Sequence, residues 1–177
     1  YIVYDHIGEG AYEETEKKIQ ELLEVSKEIF TPFGVIGADF PMPRSPEIYF
    51  GVARNIPLSI GNGKSNIIGR QILSEPTDIK TNALYLVGDW DIQNEFAENK
   101  NSQAKIIFRY QGKNVYLVAG SKNGVKIKIF KDGAFINEQT VKDHKLYNII
   151  QDSEYGEHIL EIIIENPGLR AFTFTFG

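Results

Sequence analysis

Cysteine is absent from the 177 residues. That excludes disulfides, a thiol nucleophile, cysteine-ligated zinc and Cys-x-x-Cys redox chemistry within this chain. Histidine is sparse: His6, His144 and His158 stand far apart, none at helical spacing from another histidine. They read as two surface imidazoles and one packed near the amino terminus, with no metal or general-base pattern. An excess of basic charge is also missing. The formal net charge is −5 and the sequence pI is about 5.3, which argues against a nucleic-acid-binding face. No apolar run approaches the ~18 residues of a membrane span. The chain starts Tyr1-Ile2-Val3-Tyr4-Asp5, without Met and without a positive n-region, so no signal peptide is expected and the sequence reads as an excised piece of something longer.

What is present is ordinary globular composition, with 42% hydrophobic and 24% charged residues. The first segment differs from the rest. Tyr1 to Ile7 reads as a strand, and Tyr12 to Val25 as a helix carrying Ile19, Leu22 and Leu23 on one face. Residues 30 to 80 hold six of the seven prolines but also Phe33, Phe40, Ile48, Tyr49 and Phe50. This stretch reads as extended chain and loops that lie against a sheet and bury side chains one at a time.

From Ala83 onward strand follows strand. Ile106, Phe108 and Tyr110 share one face, and Val125, Ile127 and Ile129 alternate with lysines. Phe172, Phe174 and Phe176 share one face of the last strand by simple alternation. Asn123-Gly124 and Asp132-Gly133 are hairpin signals, Gln111-Gly112-Lys113 reads as a turn, and Asn166-Pro167-Gly168 as another. About eight strands at roughly ten-residue intervals, with no helical period between them, predict an antiparallel two-sheet jelly-roll-like β-sandwich rather than a closed barrel, preceded by a short strand and one helix.

Candidate chemistry is thin. Asp89-Trp90-Asp91, with Glu95 and Glu98, is the densest acidic cluster. Asp89 and Asp91 point the same way in an extended strand and form a candidate calcium pair. The same cluster also fits a glycoside-hydrolysing carboxylate pair, or a solvated rim around a buried tryptophan. The last is preferred, because no Asp-x-Asp-x-Asp-Gly loop is present. Gly61-Asn62-Gly63-Lys64-Ser65 ends like a phosphate loop but lacks the earlier glycine and the strand-to-helix context, so it reads as a plain loop. Aromatic residues are plentiful, with nine Tyr and eleven Phe. Saccharides stack their apolar C–H faces on such rings. Phe130, Phe135 and Tyr155 sit at strand ends and turns and are candidate stacking residues; packing into the core is the reading weighed ahead of stacking for each.

Two stretches carry a family resemblance. His6-Ile7-Gly8-Glu9-Gly10-Ala11-Tyr12-Glu13-Glu14-Thr15-Glu16 resembles the end of the thioredoxin-like domain of DipZ-type thiol-disulfide proteins. Pro46-Glu47-Ile48-Tyr49-Phe50-Gly51 resembles the Pro-Glu-x-Tyr-x-Gly motif that follows it. Leu84-x-Leu-x-Gly88-x-Trp90, Val115 to Gly120 and the terminal Ala171 to Gly177 resemble the appended carbohydrate-binding-module-like sandwich.

The resemblance implies residues 1–29 as the end of a thioredoxin-like domain and 30–177 as the sandwich. It implies an extracytoplasmic location, a cytochrome c biogenesis type of redox context, and a thioredoxin-like domain of the same parent chain as partner. The chain would then be a non-catalytic accessory module that positions the redox domain or binds its protein targets. The alternative is a carbohydrate-binding module for cell-envelope or other glycans. No cofactor is expected beyond the calcium considered at Asp89 and Asp91, and no nucleic acid. A strand and helix severed from another domain would expose an apolar stripe, which favours self-association through residues 1–25.

Overall fold

The computed structural model describes residues 44–54 and 67–177, together with Lys17, Lys18 and Glu21. The chain divides into two compact units, Tyr1–Pro41 and Met42–Gly177. In the first, Lys17, Lys18 and Glu21 are helical, and Lys18 Nζ donates to Glu21 Oε2 at 2.8 Å. The rest of the expected helix, the expected strand before it, the Gly61–Ser65 loop, the boundary after residue 29 and the expected self-associating surface lie outside the described residues.

The second unit carries nine strands among its described residues. They are β1 (Ile48–Tyr49), β2 (Gly69–Leu73), β3 (Leu84–Ile92), β4 (Ala97–Asn99), β5 (Ala104–Ser121), β6 (Val125–Lys131), β7 (Ala134–Val141), β8 (Lys145–Ile164) and β9 (Leu169–Phe176). Every strand pairing is antiparallel. The mainly-β, sandwich-like fold expected from the turn spacing is the one observed.

Two long strands build both layers. The first part of β5, to Gly112, pairs with the second part of β8, and from Asn114 onward β5 pairs with the beginning of β8. In one layer β3 flanks β5 through Leu84–Val87, and β6 and β7 extend the sheet beyond β8. In the other layer β9 runs beside the second part of β5, with β1 and β4 on its far side. β3 crosses between the layers and carries β2 on its outer edge.

Gln111-Gly112-Lys113 is therefore not a hairpin turn. Gly112 faces Gly156 across the pair, and the register slips immediately afterwards. Two facing residues without side chains and a bulge let both strands bend together and continue into the opposite layer.

The core lies between the layers. Ile106, Phe108, Tyr110, Val125, Ile127 and Ile129 are all buried, as their alternation predicts. Phe174 of one layer meets Phe108 of the other at 5.9 Å between ring centroids, and Phe50 at 5.2 Å. Trp90 is fully buried and donates from Nε1 to the Val87 carbonyl at 2.9 Å. It is a structural residue within an acidic rim.

Asp132 and Gly133 both adopt positive φ, at 52° and 79°, as a two-residue hairpin between β6 and β7 requires. Asn99 is a buried polar clamp. Its Nδ2 donates to the carbonyls of Asn101 and Asn166, and its Oδ1 accepts from Leu169 N–H at 2.8 Å.

Candidate functional site

The Pro46–Gly51 stretch shows how the chain builds an outward surface on β1 and β9. Ile48 and Phe50 point inward and are fully buried, so Tyr49 between them points out. Ser45 anchors the entry: its N–H donates to the Gln111 carbonyl at 2.8 Å, and its Oγ accepts from Gln111 N–H at 2.9 Å. Tyr49 Oη donates to the Glu47 carboxylate. That hydrogen bond, with burial and the negative charge adding to it, holds the phenol above its ordinary pKa. The Arg54 guanidinium lies 5.4 Å over the Tyr49 ring. At Gly51 a Cβ would overlap the carbonyl of Asn94 and the backbone of Glu95. Only glycine lets the β3–β4 turn close onto this segment, and Val52 and Ala53 N–H then donate to the carbonyls of Gln93 and Asn94.

β9 completes the surface through a bulge. Val118 faces Thr173, but Ala119 faces Ala171, so Phe172 is the extra residue. The bulge turns Phe172 outward while Ala171 and Phe174 stay buried. Strict alternation puts Phe172 on one face with Phe174 and Phe176; it is instead half-buried on the outer face, while those two are buried. Its ring lies 5.5 Å from Phe96 and 5.5 Å from His144. His144 occupies the space above Gly120, where any Cβ would overlap its imidazole.

Beside this aromatic floor runs a charged row set by the register: Arg70 faces Asp91, Asp91 faces Glu98, and Glu98 faces Arg170. Lys100 Nζ sits 2.6 Å from Glu98 and 3.8 Å from Asp91, and Arg170 Nε donates to Glu98 at 2.7 Å. Burial raises the Glu98 pKa, but the hydrogen bonds from Lys100 and Arg170 outweigh it and hold the carboxyl below its ordinary value. Arg170 also lies 5.1 Å over the Phe96 ring.

Two open cavities flank Phe172 and Arg170. The first, of about 260 Å³, is lined by Tyr49, Gly51, Arg54, Asn94, Glu95 and Phe172, together with Ala53 and Thr173. The second, of about 250 Å³, is lined by Glu98, Lys122, Asn123, His144, Gly168 and Arg170.

The residues singled out from the sequence lie elsewhere or serve this rim. Phe130 and Phe135 face one another across β6 and β7 with their rings 5.5 Å apart, edge to face, and Phe135 is 55% exposed. Tyr155 is half-buried on β8. Burial raises its phenol pKa, and the Arg44 charge opposes that.

Asp89 and Asp91 do share a face. Each is engaged by other side chains: Arg70 Nε donates to Asp89 at 2.8 Å, and Gln93 Nε2 donates to Asp91 at 2.8 Å. Among the described residues no group of three or more His, Asp or Glu is placed to hold a metal ion. Phe96, Phe172 and His144 were missed by sequence reasoning. Tyr49, which the sequence groups with the buried side chains of its stretch, is outward as well; alternation between apolar Ile48 and Phe50 is the signal that could have found it.

Comparison with known proteins gives the frame. Residues 45–177 match the model of the thioredoxin-like C-terminal domain. Over 183 aligned positions the chain is 25% identical to protein DipZ of Mycobacterium bovis and to protein DipZ of Mycobacterium tuberculosis, covering 96% of this chain. It spans 24% of the length of those relatives.

Among solved structures, a family two carbohydrate esterase from Clostridium thermocellum, in complex with cellohexaose, is similar over 50% of this chain and 29% of its own, at 15% identity and a TM-score of 0.47. A family 6 carbohydrate-binding module is similar over 75% of this chain and 93% of its own, at 10% identity and a TM-score of 0.40. With the family model spanning three quarters of its residues, the chain belongs to the thioredoxin-like C-terminal domain family.

Proposed function

We propose that the outward face of β1, β4 and β9 binds a saccharide, and that this β-sandwich is a non-catalytic accessory module which brings that affinity to an extracytoplasmic thiol-disulfide protein. The observation that carries the reading is the cavity between Tyr49 and Phe172. A sugar ring needs an apolar floor for its C–H face and polar groups around its hydroxyl rim. Phe172, backed by Phe96, supplies the floor; Arg54, Asn94 and Glu95 supply the rim. At about 260 Å³ the cavity falls just below the roughly 300 Å³ at which drug-sized pockets begin. It suits one or two rings of a chain whose remainder stays in solvent. Gly51 and the β9 bulge set the backbone of its walls.

The test is a glycan array followed by calorimetric titration of any hit. Phe172→Ala should weaken binding at least about tenfold, which corresponds to about 1.4 kcal/mol. An array without signal at high protein concentration, or a hit whose affinity survives Phe172→Ala, overturns the reading.

A second reading is that the module docks the redox domain or its protein targets. One surface favours it. Ile72 is 85% exposed on β2, and Ile67 and Ile68 just before that strand are about half exposed. Cross-linking in the full parent protein, with and without Ile72→Ser, distinguishes this role from sugar binding.

A further inference from the structure

The second cavity has a chemistry of its own. It stands on the same outer face as the saccharide cavity, and Phe172 joins them: it lines the first, and its ring packs on the His144 that lines the second. Along β9, Arg170 of the second cavity and Phe172 of the first are two residues apart, about 7 Å at strand rise. A linear oligosaccharide lying over Phe172 therefore reaches both.

The first cavity balances one arginine against one glutamate. The second carries Lys122 and Arg170 against Glu98 alone, with the His144 ring in its wall. Glu98 already receives two cations: Lys100 on Oε1 at 2.6 Å and Arg170 on Oε2 at 2.7 Å. Arg170 commits its Nε to that bond, and its two Nη groups carry the remaining guanidinium donors. Lys122 lies exposed at the β5–β6 turn. In a chain whose formal net charge is −5, this is a local reversal of sign.

We propose, resting on the saccharide reading above, that the second cavity is an anion-accepting subsite and that the ligand is an acidic saccharide. One of its rings lies on Phe172, and an adjacent ring offers its carboxylate to Lys122 and Arg170. Charge-assisted hydrogen bonds of this kind are roughly twice as strong as neutral ones. They fix the register of the sugar along the face.

The experiment is calorimetric titration of the whole chain with trigalacturonate and triglucuronate, each beside its own methyl ester. The ester keeps the rings and hydroxyls and removes the charge. At low salt at least one acid should bind about tenfold tighter than its ester, and the advantage should shrink as salt rises toward 0.5 M. Lys122→Gln should bring the acid-to-ester ratio toward one, and the thermal midpoint of that variant reports whether the fold is intact.

If acids and esters bind equally, and both lose affinity with Phe172→Ala, the anion subsite is refuted while the saccharide face stands. If binding is detected but Phe172→Ala leaves it unchanged, both readings fall. A salt-insensitive preference for the acid also overturns the proposal. If none of the four oligosaccharides binds while neutral glycans do, an acidic ligand is excluded.

Discussion

The face of β1, β4 and β9 and the β6–β7 hairpin both present aromatic rings to solvent, yet they differ in what surrounds those rings. On the hairpin, Phe130 and Phe135 pack edge to face on one another, and β7 is exposed along almost its whole length. On the opposite layer, Phe172 is half-buried among neighbouring side chains. Phe96 and His144 flank it; a Cβ at Gly51 would overlap the β3–β4 turn, and one at Gly120 would overlap the His144 ring. Exposure of an aromatic ring therefore says little by itself. A ring suits a binding floor when backbone close to it places polar groups at its edge, and of the two faces compared the β9 face has that construction.

Ranked by expected effect, removing the core beneath the face comes first. Trp90→Ala deletes a fully buried side chain and its Nε1 hydrogen bond, and should cost about 3 to 5 kcal/mol in chemical denaturation. A near-wild-type midpoint would show that β3 does not carry the face. Asn99→Ala comes next. It leaves the buried Leu169 N–H without its side-chain acceptor, and two carbonyls, of Asn101 and Asn166, without their side-chain donor, and should cost about 3 kcal/mol. Hydrogen exchange should then show the Asn166–Leu169 turn opening first; uniform loss of protection would contradict the clamp.

Gly120→Ala sharpens the comparison itself. The added methyl must displace His144 and with it one neighbour of Phe172, so saccharide affinity should fall several-fold while the thermal midpoint moves less than for Trp90→Ala. Phe135→Ala is the matching change on the hairpin. It should shift stability by about 1 kcal/mol or less and leave titrations unaffected. Loss of sugar binding in that variant, with Phe172→Ala silent, would reverse the comparison and move the site to the hairpin.

The smallest effect is set by pH. The hydrogen bonds from Arg70 hold the Asp89 carboxyl below its ordinary pKa. A depressed carboxylate contributes stability that is complete above its unfolded value, near pH 4, and that is lost as pH falls through the folded value. The difference in thermal midpoint between wild type and Asp89→Asn should be constant above about pH 5 and close as pH falls below 4. A difference that grows in acid would mean that Arg70 is not the partner that matters.

Much of the fold was legible in the sequence because alternation and turn chemistry act locally. Ile127 and Ile129 declare an inward face without reference to anything distant, and Asp132-Gly133 declares its hairpin. What was not legible depends on register. Gln111-Gly112-Lys113 looks like any glycine turn until Gly156 is seen opposite Gly112. Phe172 looks like a face-mate of Phe174 and Phe176 until the slip between Val118 and Ala119 is known. The strand β4 is three residues long, too short to show a period, and β2 sits in a proline- and glycine-rich stretch.

The candidate site was less legible still. It draws on β1, the β3–β4 turn, the loop after β7, and β9, which the chain separates by more than a hundred residues. Tyr49, read with its neighbours as one of the side chains that this stretch buries, is outward between buried Ile48 and Phe50.

The central claim is that the β9 face is where saccharide binds. The most direct measurement is a titration of the ¹⁵N-labelled chain with the strongest glycan-array hit, followed by amide shifts residue by residue. The account predicts that Tyr49, Arg54, Asn94, Glu95, Phe172 and Thr173 move together in a saturable way, with Arg170 and His144 following for an acidic sugar, while β6 and β7 stay still. Saturable shifts centred on Phe130 and Phe135, with the β9 face unmoved, would contradict it.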